Sequence, residues 1–458
     1  MGNKIFLFII TIFLLCFIIG GILYLRNFPL EKNNRDSGKN NGNTTENQTS
    51  TVKNNGTTTE NQTSTAKNNG TTTENQTSTV MLVKSLEKIG EGSFPKWSPD
   101  CRLIAFTKEV LNPKDPSGIG YEIYTMKPDG TDVKCLTCNK PALSNTRWRG
   151  QPFWHPSGKY IVFTAENANY PRKGVGTTAR PGIGRNHNVW IMTSDGSKFW
   201  QITDYPDNWG VIRPSFSHDG KTLYWNEEFS MEKYPNGKLT DPDDDLLKPG
   251  HQGHPGSYWG LESVRYRRGE ELGAWRIKLA DISFENNEPS ISNTRFINPP
   301  LGFTVIEGAG FTSDDKGFIY SYANLKENNY QGFWGDIYIS DLNGNLIKRL
   351  TDTPFKHDEN PEFSPDGKYI VWNTSKGNPG DGEELWLMKA DGSNKVRLTY
   401  FTDPNHKEYD PNARQITEIS WCSDGKRVVF GHVSQIKSEK EITGGIHIPS
   451  SLFLLTFE

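Results

Sequence analysis

Cysteine is scarce in this chain. Five occur in 458 residues, an odd number, so no dense disulfide framework holds the fold together. Charge of one sign is also lacking: Lys plus Arg number 51 against 54 Asp plus Glu, a net charge of −3. That balance gives no basic excess or stripe, the electrostatic footprint of a nucleic-acid partner. The G-x-S-x-G nucleophile elbow of serine hydrolases is absent. The glycine cluster GVGTTARPGIG from Gly174 lacks the Gly-Lys-Ser/Thr ending of a phosphate loop and reads as a flexible loop. What is plentiful is glycine (44), proline (27) and aromatic side chains (12%), a composition suited to an all-β protein of short strands and many turns.

The N-terminus bears on the compartment. Ile5 to Leu25 is apolar and uncharged, long enough as a helix to cross the ~30 Å of bilayer hydrocarbon. Its length exceeds the apolar core of a cleaved signal peptide, and Leu14-Leu15 before Cys16 does not suit lipid attachment, so residues 1–30 read as a signal anchor. Arg26, Lys32, Arg35 and Lys39 follow the span, and the positive-inside rule taken alone would keep the C-terminal side in the cytoplasm. The next segment argues otherwise. Across 31–79 a 14-residue unit, KNNGNTTENQTSTV and its two near copies, has too few apolar residues to bury a core and is expected to be disordered. Each copy carries two N-x-Ser/Thr sequons, at Asn43, Asn47, Asn55, Asn61, Asn69 and Asn75. Regular placement favours a glycosylated stalk over a plain polar spacer, with the remaining chain outside the membrane, extracellular or periplasmic.

From residue 80 onward one pattern recurs six times. An aromatic, a polar turn and an apolar strand appear as WSPDCRLIAFT from Trp97, WHPSGKYIVFT from Trp154, FSHDGKTLYWN from Phe216, FTSDDKGFIYS from Phe311, FSPDGKYIVWN from Phe363 and WCSDGKRVVFG from Trp421. Four copies show a second hairpin after this, with a turn such as Asp129-Gly130 or Asp391-Gly392 and an ending such as Leu136-Thr137 or Leu398-Thr399. Four antiparallel strands per unit, six times over, predict a six-bladed β-propeller across 80–458. The starts are 57, 62, 95, 52 and 58 residues apart, and the 95 marks an insertion in blade three at about 229–273. The last unit ends in SLFLLTFE, one strand short, so Val80 to Ile89 is expected to complete it and close the ring.

The repeats FSPDGK…ELWLMKADGSNKVRLT resemble the TolB-like propeller family, whose WD-like repeat carries the same SPDG turn and DG…RLT ending. The resemblance spans 80–458 and implies the fold. Members include periplasmic components of envelope complexes, which carry an α/β domain ahead of the propeller, and peptidases, which carry an α/β-hydrolase domain after it. This chain has the polar repeats in the first place and ends in the second, so neither function is expected to carry over.

Cys135 and Cys138 form C-x-x-C at a strand end, where a turn at Thr137 would allow a local disulfide and a zinc site is the lesser alternative. Cys101 and Cys422 lie in the first-hairpin turns of blades one and six, where a bridge across the closure is conceivable but has no support in the sequence. Arg172, Lys173, Arg180 and Arg185 make a basic patch in the blade-two loop. In the insertion, Asp241, Asp243, Asp244 and Asp245 lack the glycine and terminal glutamate of a calcium loop, and His251 and His254 sit among glycines and prolines, so both read first as solvated loop. Residues ahead of the inner strands are expected at one mouth of the channel: Arg149, Arg213, Glu307, His357, Asp358, Glu359 and Glu418. Such a mouth suits a polar ligand, although loop ends are polar wherever they are wet.

The expected function is a surface binding or scaffold module for a protein or glycan at the cell envelope, held in the membrane by its own helix. It is expected to need no catalytic residue, metal or cofactor. The alternative is an enzyme, a surface polysaccharide lyase or hydrolase using the polar mouth, with His357, Asp358 and Glu359 as its only plausible cluster.

Overall fold

In the computed structural model, strands gather into six four-stranded antiparallel sheets. The chain divides into units Met1–Gln76 and Thr77–Glu458. The structure describes 81–458, apart from 116–117, 171–178, 207–208, 230–273, 298–303, 325–334, 355, 379–381 and 435–449. Among the described residues no helix is long and apolar enough to cross a membrane. The apolar run, the polar repeats with their six sequons, and the acidic and histidine residues of the insertion all lie outside the described residues.

Each sheet is a blade. Five follow chain order from an innermost strand: Ser93–Trp97, Thr146–Trp154, Val211–Phe216, Thr304–Phe311 and Asp358–Phe363. Blade six starts with Ala413–Trp421, and its outermost strand is Val83–Glu91 from the start of the propeller, paired with Ser450–Phe457 at its end. The expected closure is therefore present: the strand at the start of the propeller completes the last blade as its fourth strand. In blade three the second strand ends at Phe229 and the third begins at Ala274.

Local chemistry explains the repeat. In the SPDG-type turn a hydroxyl donates to the carboxylate two residues on, at 2.7 Å in Ser98–Asp100, Ser217–Asp219, Thr312–Asp314 and Ser364–Asp366. The glycine that follows holds φ near +70° at Gly220, Gly367 and Gly425, a conformation that a side chain resists. The Leu-Thr ending is a stitch. Thr137, Thr203, Thr351 and Thr399 each accept from a backbone N–H of the third strand at 2.9 Å, at Ile123, Val189, Ile337 and Leu385. Each hydroxyl then donates to the residue just before that N–H: Glu122, Asn188, Asp336 or Glu384. Losing such a bond costs about 1 kcal/mol.

The core lies between neighbouring blades. Ile161 and Phe163 of blade two pack on Ala105, Ile123 and Leu136 of blade one, while Tyr160 and Val162 on the other face meet Leu223 and Trp225 of blade three. Period-two alternation thus buries both faces of the middle strands. Each fully buried large side chain contributes roughly 1.5–3 kcal/mol.

Candidate functional site

The inner strands are bent before the aromatic that starts each repeat. All six show a register irregularity there, between Ser93 and Lys96, Gly150 and Phe153, Ile212 and Ser215, Gly308 and Gly310, Glu359 and Glu362, and Thr417 and Ile419. In four blades a residue with positive φ precedes a proline: Phe94 (52°), Gln151 (54°), Arg213 (51°) and Asn360 (53°). Proline has no N–H to give to a ladder, so a bulge is where an inner strand tolerates it. A bulge also re-aims the adjacent side chains. Here they converge on one charged cluster.

Arg213 sits at its centre. Its Nε lies 2.9 Å from both Glu307 Oε1 and Glu418 Oε1, and Nη2 lies 3.5 Å from Glu359 Oε1. These four side chains keep only 7–13% of their surface exposed. Lys96 extends the network, with Nζ 2.8 Å from Glu362 Oε2, 3.5 Å from Glu418 Oε2 and donating to Ile419 O at 2.6 Å. On the other side His357 Nδ1 is 2.8 Å from Glu383 Oε1, and Nε2 is 3.8 Å from Glu359 Oε2. Glu383 is fixed by Asn373 Nδ2 and the Ile416 N–H, each donating to Oε2 at 2.8 Å.

Burial and charge pull against each other throughout. Burial pushes the Glu307 carboxyl up to about 8, with the negative Glu359 beside it adding to the rise against the pull of Arg213. Burial disfavours charged His357, yet Glu359 and Glu383 outweigh it and raise the imidazole to about 10. Glu359 moves the other way, because His357 and Arg213 overcome its desolvation. Arg213 and Lys96 likewise stay charged against burial through their carboxylate partners. A pocket of about 20 Å³ touches Lys96, Gln151, Arg213 and Glu418. That is room for a water-sized occupant.

Of the seven residues expected at the mouth, the structure gathers Arg213, Glu307, His357, Glu359 and Glu418. All but His357 lie within inner strands and not ahead of them, because those strands begin earlier than the repeat's aromatic suggests. Arg149 is held elsewhere, clamped to Glu122 at 2.6 Å and to the carbonyls of Leu143 and Thr146. Asp358 is taken by Trp372 Nε1 at 3.0 Å and by the Thr353 hydroxyl, and so ties its own blade together. Lys96, Glu362 and Glu383 were not anticipated. A signal existed for the first two: each follows a proline and directly precedes the repeat aromatic, where other blades carry Phe153, Ser215, Gly310 and Ser420.

The remaining candidates resolve as structure. Cys101 bridges Cys422 between blades one and six, with Cα atoms 5.6 Å apart. Cys135 bridges Cys138 at 5.7 Å, so both sulfurs are committed and the zinc alternative gives way to the disulfide. The strand stops at Cys135, which lets the chain turn and removes the extended spacing that would keep the sulfurs apart. Arg180 and Arg185 are 9% and 2% exposed, so those two do not form a basic surface patch, and Arg172 and Lys173 lie outside the described residues.

No protein-family model matches the chain. Dipeptidyl-peptidase 5 of Porphyromonas endodontalis is 23% identical over 299 residues, covering 64% of this chain and 38% of that protein. An uncharacterized peptidase of Bacillus subtilis, YuxL, is 22% identical over 282 residues, 61% of this chain and 29% of its own length. The chain thus spans about a third of the curated relatives it matches. Among solved structures it is similar to TolB from Acinetobacter baumannii, with a TM-score of 0.40 and 17% identity over 78% of this chain and 64% of that one.

Proposed function

We propose that this chain is a membrane-anchored propeller facing the outside of the cell, where its charged centre receives a polar group of a protein or glycan partner. The observation that carries the reading is the convergence of Lys96, Arg213, Glu307, Glu359 and Glu418 from five blades into one charged cluster, of which Lys96, Arg213 and Glu418 line a pocket. Desolvating so many charges is costly, and a core of apolar side chains would close the channel at least as stably. The compartment has separate support. Cys101–Cys422 and Cys135–Cys138 pair every cysteine but Cys16, and such bridges persist in oxidising surroundings.

Two measurements test the reading. Protease and glycosidase treatment of intact cells should release the propeller and lower the mass of the stalk; full protection until lysis would reverse the topology. The detergent-solubilised full chain, applied to arrays of surface glycans and peptides, should retain a ligand that an Arg213→Gln variant releases at unchanged fold. Cleavage of an arrayed acidic glycan or peptide by the wild-type chain would replace binding with catalysis.

A further inference from the structure

We propose that His357, Glu359 and Glu383 form a binding site for a divalent first-row transition ion, at the blade-five side of the charged cluster. The inference is independent of the partner reading above, and it departs from the sequence expectation that no metal is needed.

Geometry comes first. One donor atom from each of the three residues lies within 4.8 Å of the other two. Donors about 2.1 Å from a tetrahedral ion stand roughly 3.4 Å apart, and His357 Nε2 is 3.8 Å from Glu359 Oε2. Glu383 Oε1 meets the other ring nitrogen, Nδ1, at 2.8 Å, so an ion held at Nε2 requires that carboxylate to turn from Nδ1 toward Glu359. The second observation is an orphan. Glu359 Oε2 is buried, the residue being 5% exposed, and accepts no hydrogen bond. A desolvated carboxylate oxygen without a donor is costly, and an ion is the partner that would satisfy it.

The surroundings are built as a supporting shell. Glu359 Oε1 faces Arg213, which leaves Oε2 on the histidine side. Glu383 Oε2 takes two donors, from Asn373 and the Ile416 N–H, so its other oxygen is presented in a fixed direction. The His357 backbone is itself pinned, its N–H donating to Ser375 Oγ at 3.0 Å. Outer contacts of this kind set ligand orientation in metal sites. An imidazole with two carboxylates suits zinc or manganese better than magnesium or calcium, which prefer oxygen ligands throughout.

The test uses the full-length chain in detergent, stripped with chelator and dialysed against about 10 µM Zn²⁺ or Mn²⁺. One ion per chain is expected. Glu359→Gln and His357→Gln should each lower affinity at least tenfold, with far-UV circular dichroism at the assay temperature confirming that each variant is folded. A His251→Ala, His254→Ala double variant should bind as tightly as wild type. Co²⁺ on the wild-type chain should show visible absorption bands distinct from those of the aqua ion, a readout that depends on no variant. No retained ion, undiminished binding by Glu359→Gln, loss of the ion with the 251/254 pair, or an aqua-like Co²⁺ spectrum would each overturn the site.

Discussion

Breaking the bridge between blades one and six should cost far more stability than breaking the bridge inside blade one. Cys101 and Cys422 are 321 residues apart in sequence, whereas Cys135 and Cys138 are three apart. Chain-entropy reasoning puts the cross-link's effect on the unfolded chain at roughly 6 kcal/mol for the first and about 1.6 kcal/mol for the second. Measured bridges usually deliver less than this reasoning gives, so about 3–5 kcal/mol against 0–2 is the working expectation. The folded state contributes too, since Cys422 is fully buried against Trp97, Cys101 and Val429, and truncation there leaves a small void. The assay is chemical denaturation followed by tryptophan fluorescence, on the wild type, a Cys101→Ala, Cys422→Ala pair and a Cys135→Ala, Cys138→Ala pair. A clear drop in midpoint for the first pair and a small one for the second is expected. Equal drops, or the reverse order, would refute the argument that the seam holds the ring by restricting the unfolded chain; the Val83–Glu91 and Ser450–Phe457 pairing would then be sufficient closure.

Two further outcomes follow from buried charge. His432, 3% exposed and stacked on Phe401 with ring centroids 4.1 Å apart, has its pKa lowered to about 4, chiefly by desolvation, against the pull of Asp410 and Glu384. A depressed histidine favours the folded state fully above its unfolded pKa near 6.5 and loses that contribution as pH falls through the window from 6.5 to about 4. The shift corresponds to about 3 kcal/mol at most, so His432→Leu should lose roughly 2 kcal/mol less stability than wild type between pH 7.5 and 5; parallel pH profiles would remove His432 as the cause. Arg213→Met should strand Glu307, Glu359 and Glu418, lowering stability by about 3–5 kcal/mol in the same denaturation assay. A loss under 1 kcal/mol would mean that the carboxylates find other partners.

The blades could be read from sequence because their chemistry is local. The Ser–Asp turn, its glycine and the Leu-Thr stitch close within one blade, over separations of 2 to 15 residues. Closure could be read because the last repeat was a strand short. The cluster could not be read in full, since its contacts join residues far apart in the chain: Lys96 meets Glu362 across 266 residues and Ile419 across 323. No local periodicity encodes such a meeting. Five of the polar residues singled out near the inner strands belong to the cluster, whereas Arg149 and Asp358 have their partners within their own neighbourhood. Glu383 is the clearest miss. It stands beside Glu384, which serves the stitch to Thr399, and only the fold shows that the first carboxylate turns to His357 while the second holds the blade.

The bulges connect the two levels. A repeated fold needs each blade to supply the same aromatic, turn and stitch, so those positions are fixed by packing and cannot vary with function. The three or four residues ahead of the aromatic are under no such demand. The bulge there breaks the ladder and directs side chains to the axis, where blade one places lysine, blade three arginine, and blades four, five and six glutamates. Chemistry is therefore written where the repeat is least regular, and departures from it mark the site better than its matches do. Positive φ at Phe94, Gln151, Arg213 and Asn360 is the backbone cost of that arrangement. Such strain is sustained because the surrounding sheets, joined into a closed ring and stapled at the seam, leave the inner strands no room to relax.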